Sequence, residues 1–117
     1  MSTETVSLRA RMRAALTTAM KSRDRQAISA LRSALGAIDN AEAVDGTEHR
    51  AGAVEDSSVG VGSTEVRRRD LSESDIEQIV RTAIAERRTV ADEYDGLGQA
   101  EHAAALRAEA ETLSALL

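Results

Sequence analysis

The residues able to do acid–base or metal chemistry are few and scattered. Two histidines occur, His49 beside Asp45 and Glu48, and His102 beside Glu101. Neither has a second histidine at metal-ligand spacing, so each reads as a surface histidine. Asp92, Glu93 and Asp95 form a local carboxylate cluster. Carboxylate oxygens suit a hard divalent cation, but the spacing fits no calcium loop, and a solvated helix end is expected there. The serines have no histidine that the sequence places beside them. Gly60 and Gly62 make a G-x-G without the third glycine, lysine or strand of a phosphate loop. The expectation is no catalytic residue, no metal and no cofactor.

Arginine is the residue type whose pattern carries more. Arg67, Arg68 and Arg69 form a compact basic run, and Arg9, Arg11 and Arg13 alternate near the start. Together they could contact phosphates. Arg32, Arg87 and Arg88 join Arg9, Arg13, Arg67, Arg68 and Arg69 as candidate nucleic-acid contacts, able to meet a phosphate or a carboxylate. RNA binders usually add aromatic platforms, and this chain has one aromatic residue, Tyr94, whose spacing puts it in or near the core. The competing expectation is that these arginines are solvated or pair with the acidic excess. Residues 1–40 carry a net charge of +4 and residues 41–117 a net of −9, within a total of −5. A polyanion would therefore meet the N-terminal part, unless the two parts pair with each other.

The elements that must position these groups are helices. Of 117 residues, 22 are alanine, while proline, cysteine, tryptophan and phenylalanine are absent. Alanine, leucine, arginine and glutamate favour helix, whereas strands want aromatic residues, of which this chain has one. Without cysteine there are no disulfides, thiolate metal sites or thiol nucleophiles. No apolar run has signal-peptide or membrane-spanning length, so a cytoplasmic, single-domain chain without membrane contact is expected.

Periodicity predicts four helices, near 7–22, 24–44, 72–95 and 98–117. In the first, Leu8, Met12, Ala15, Leu16 and Ala19 share a stripe. In the second, Ile28, Leu31, Leu35 and Ile38 form a narrow seam that contains Gly36, which suggests a close helix–helix approach. Asp45-Gly46 reads as its stop, followed by a long loop over 45–70 expected to be flexible. The third has a broad face from Ile76 through Val90 to Tyr94, with Asp75 three residues after Ser72 as a variant capping box. The fourth has Ala103, Leu106, Ala110, Leu113 and Leu117 in line. The short breaks at 21–24 and 96–98 predict two antiparallel hairpins packed into an all-α bundle.

Several stretches resemble the GatB/YqeY family. Residues Leu8 to Lys21 look like its opening helix, ending in Ala-Met-Lys. Leu31-Arg32 followed by Ala37-Ile38-Asp39-Asn40-Ala41-Glu42 is similar to its second helix. Ile84 to Tyr94, with Gly98 beyond, resembles its Arg-Arg to Tyr segment, and Glu109 to Leu113 with Leu116-Leu117 its Glu-x-Glu-x-Leu ending. The likeness spans nearly all of the chain outside 45–70. The family continues into a small three-helix tail domain, whereas this sequence stops at Leu117, so the resemblance covers the N-terminal helical domain only. Gln99 also stands where the family commonly has arginine. The resemblance implies a helical module linked to tRNA-dependent amidation, a carbon–nitrogen ligation with glutamine as amido donor. Its partner would be tRNA, an amidotransferase or a translation-associated protein. The alternative expectation is a protein–protein adaptor or a self-associating bundle, a homo-oligomer with no nucleic-acid role.

Overall fold

The computed structural model describes the backbone of residues 6–53 and 70–117, and the side chains of 6–43 and 70–117. Four helices follow in order: α1 (Leu8–Ser22), α2 (Arg25–Ala53), α3 (Glu73–Gly96) and α4 (Ala100–Ser114). No strand occurs among the described residues. The all-α architecture expected from composition is present.

Local chemistry explains most of the boundaries. The Ser7 hydroxyl accepts from the Ala10 N–H at 3.1 Å and starts α1. At its other end Arg23 takes a left-handed conformation, φ 58° and ψ 39°. The next N–H, from Asp24, then reaches the Ala19 carbonyl at 3.0 Å, a Schellman-type closure. Asp24 caps α2 by accepting from Ala27 N–H at 3.2 Å. Both halves of the box at α3 are made: Ser72 Oγ accepts from Asp75 N–H at 3.0 Å, and Asp75 Oδ2 from Ser72 N–H at 3.1 Å. Gly98, at φ +76°, turns the chain into α4.

The second helix overruns its expected stop. It continues through Asp45-Gly46 to Ala53, 29 residues in all and about 44 Å long. The Asp-Gly pair costs a helix interior only about 1 to 2 kcal/mol in propensity, and no proline is present to forbid continuation. Of the predicted 45–70 loop, 45–53 is therefore helical, and 54–69 lies outside the described residues.

The helices form two hairpins. The most extensive contacts are α3 with α4, then α1 with α2, then α2 with α4. Arg107 of α4 reaches Asp92 and Asp95 late in α3, while Glu109, further on, reaches back to Arg87. That order requires an antiparallel pair. The core draws on all four helices, because Met12, Leu31, Ile38, Val80 and Leu113 are fully buried together. Small residues fill the gaps between them: Ala30, Ala34, Ala83 and Ala110 are buried too. Full burial of each large side chain is worth about 1.5–3 kcal/mol. No polar side chain is buried among the described residues.

Three positions depart from the periodicity. Gly36 is exposed, and a Cβ there would meet nothing within 4 Å, so no helix approaches it. Val90 is 38 % exposed, at the edge of the α3 stripe over an open depression shared with Ala85 and Thr89. Leu117 is 43 % exposed, because α4 ends at Ser114 and its last residues leave the stripe.

Candidate nucleic-acid interface

Most of the described cations divide into two classes; apart from them, Arg81 pairs with Glu77 one turn before it and Arg11 donates to the Val6 and Leu116 carbonyls. In the first, the guanidinium is held by carboxylates. Arg9 reaches Glu42 at 2.9 Å and Asp39 at 3.4 Å, joining α1 to α2. The Glu42 hydrogen bond raises the Arg9 pKa above its ordinary value against desolvation, and the charges of Glu42, Asp39 and Glu73 push the same way. Its buried Nε has no hydrogen-bond partner among the described residues. Glu73 also accepts from the Leu8 N–H at 3.0 Å, which ties the start of α3 to the start of α1. Arg87 meets Glu109 at 2.9 Å, with both side chains about one-seventh exposed (13 % and 14 %). It also donates to the Ala83 carbonyl at 3.2 Å. Arg107 holds Asp92 and Asp95, each at 2.7 Å, and their hydrogen bonds raise its pKa, Asp92 first.

That last contact resolves the acidic cluster at the end of α3. A helix C-terminus disfavours negative charge, and Arg107 supplies the compensating cation from the neighbouring helix. No group of three or more potential metal ligands occurs among the described residues. Tyr94 is half-buried and stacks on His102, with ring centroids 4.9 Å apart and planes 18° from parallel. Both rings therefore belong to the α3–α4 hairpin. His49 lies on the α2 backbone, its side chain outside those described.

The second class comprises Arg13, Lys21, Arg23, Arg25, Arg32 and Arg88. All are exposed, and none has a carboxylate partner among the described residues. Five of the six lie between residues 13 and 32. The Arg9–Asp39 pair identifies the face that α1 and α2 share. Arg13 follows Arg9 by four residues, one turn along the same side of α1. Arg32 precedes Asp39 by seven, two turns back along the same side of α2, and Arg25 precedes Arg32 by seven more. Because the helices are antiparallel, both displacements run toward the α1–α2 turn. Arg13, Arg32 and Arg25 thus form a row on one face of the hairpin. Arg25 and Arg32 stand about 10 Å apart along α2. The exposed Ser29 sits between them on the same line.

The candidate residues read from the sequence are distributed as follows. Arg13 and Arg32 share the open face. Arg9 and Arg87 are engaged in half-buried interhelical pairs, as the solvated-or-paired alternative anticipated for some of them. Arg88 is exposed on α3, on the other hairpin. Arg67, Arg68 and Arg69 lie outside the described residues. Arg25 was not among the candidates, although its seven-residue spacing from Arg32 was available in the sequence.

A groove of about 420 Å³ also lies between α2 and α3, floored by Ala41, Leu71 and Ile79. Its carboxylates are Asp75, which caps α3, and Glu86 on the rim. It holds no nucleophile–base pair among the described residues. No described helix is long and apolar enough to cross a membrane. Compared with models of known families, with curated proteins and with solved structures, the chain shows no significant match.

Proposed function

We propose that this chain is a non-catalytic accessory module that holds RNA on the open face of its α1–α2 hairpin. The observation that carries this reading is the row Arg13, Arg32 and Arg25, three exposed cations with no ion pair among the described residues, in a chain of net charge −5. Among the described residues Arg9, Arg81, Arg87 and Arg107 have carboxylate partners, and the three of this row do not. A face left unneutralised is poised for an external anion. Arg23 adds a further exposed cation at the turn itself. The resemblance to the GatB/YqeY family makes tRNA the first RNA to try, within tRNA-dependent amidation.

The test is binding of bulk tRNA between about 50 and 300 mM salt. Three neutralised phosphates predict a log–log slope of about −2 to −3. Replacing Arg13, Arg25 and Arg32 together with alanine should flatten that slope to near zero. No binding at the lowest salt, or binding indifferent to the triple change, would remove this function.

A second reading, a self-associating or adaptor bundle, is favoured by one feature. Val6 and Leu117 are 56 % and 43 % exposed. They are drawn to the same region by Arg11, which donates to the carbonyls of Val6 and Leu116. Exposed apolar residues brought together in this way can seat another chain. Sedimentation that shows monomer alone at high concentration would exclude self-association.

A further inference from the structure

We infer that the RNA held by this face is double-helical and is gripped by its phosphates, without reading of bases; this rests on the RNA-binding function proposed above. Single-stranded nucleic acid is held largely by stacking, worth about 1–3 kcal/mol per base. The face offers no platform for it. The sole tyrosine in a chain without tryptophan or phenylalanine is half-buried on the opposite hairpin, against His102. What the face presents instead is charge and a hydroxyl in a fixed line. Arg25, Ser29 and Arg32 project from successive turns of one helix, and Arg13 stands alongside on its antiparallel neighbour.

Guanidinium groups grip phosphate oxygens with two parallel hydrogen bonds. The Ser29 hydroxyl, which makes no hydrogen bond among the described residues, can exchange bonds with a phosphate or a 2′-hydroxyl. A-form RNA presents 2′-hydroxyls and flanking phosphates at regular intervals along a wide, shallow minor groove, and proteins hold it mostly by its shape and these groups. A row of cations spaced by two packed helices suits that regular target. It does not suit a flexible strand, which must be ordered on binding at an entropic cost. Gly36, exposed one turn beyond Arg32, leaves the α2 backbone open on that same side.

Fluorescence anisotropy of the full chain decides the matter. The probes are two unrelated RNA duplexes of about 16–20 bp and a uridine single strand of the same length. The two duplexes should bind within about threefold of one another, and at least tenfold more tightly than the single strand. Changing Arg25 and Arg32 to alanine should weaken both duplexes by the same factor. Single-strand binding as tight as duplex binding, or a tenfold preference between the duplexes, would overturn this inference while leaving RNA binding intact. Failure of all three probes together with tRNA would overturn the RNA-binding function itself.

Discussion

Replacing Gly36 with alanine should stabilise the bundle. The position lies inside α2, between the buried Ala34 and Ile38, yet points to solvent. A Cβ built there meets no atom within 4 Å, and the backbone is not in the left-handed region. Neither clash nor new packing enters, so intrinsic helix preference decides, worth about 0.8–1.0 kcal/mol in favour of alanine. Unfolding entropy of about 2.1 cal/mol/K per residue gives roughly 0.25 kcal/mol/K for a chain of this length. Gly36→Ala should then raise Tm by about 4 °C. The same change at Gly98 provides the control of opposite sign. Its surroundings are equally open, but φ is +76°, so a side chain there is strained by about 1 kcal/mol or more. Circular dichroism melts of the two variants, with urea midpoints as a second measure, give the comparison. A Gly36→Ala protein that melts below the parent would refute the reasoning, because it would mean that another element does press on that face of α2.

Other perturbations follow from the packing and the caps. Leu31→Ala, at a side chain with no exposure, should cost about 2–5 kcal/mol in a urea titration and leave a destabilised protein. Ser72→Ala removes the hydroxyl that accepts from Asp75 N–H and should cost about 1 kcal/mol, with Ser72→Asp restoring most of it. Arg87 and Glu109 should show a larger coupling in a double-mutant cycle than Arg81 and Glu77. The first pair is about one-seventh exposed and joins two helices, whereas the second lies within one exposed turn of α3; about 0.3–0.5 kcal/mol is expected for the exposed pair. A coupling for Arg87–Glu109 no larger than that would show that burial adds nothing there.

Much of the architecture was legible before any tertiary information. An alanine-rich chain with a single aromatic residue favours helix, because alanine has the highest helix preference and no proline interrupts it. The stripes through Leu8, Met12 and Ala19, and through Leu31 and Ile38, matched the buried positions, since helical periodicity and burial share one cause. The Ser72–Asp75 box was readable because capping is local. The stop at Asp45-Gly46 was misplaced for the same reason in reverse: a local propensity cost of about 1 to 2 kcal/mol does not by itself end a helix. Gly36 was ambiguous because a glycine that admits a neighbour and one that simply faces water look alike in one dimension.

Which arginines pair between helices was decided by tertiary structure alone. Arg9 and Arg13 differ by one turn of the same helix. Only the antiparallel placement of α2 puts Asp39 and Glu42 beside the first and leaves the second without an acid partner among the described residues. Net charge and charge runs are properties of composition, and they survive any rearrangement of the fold. Pairing is a property of distance across helices. Which cations remain available to a ligand therefore depends on which helix faces meet, and no count along the chain contains that information.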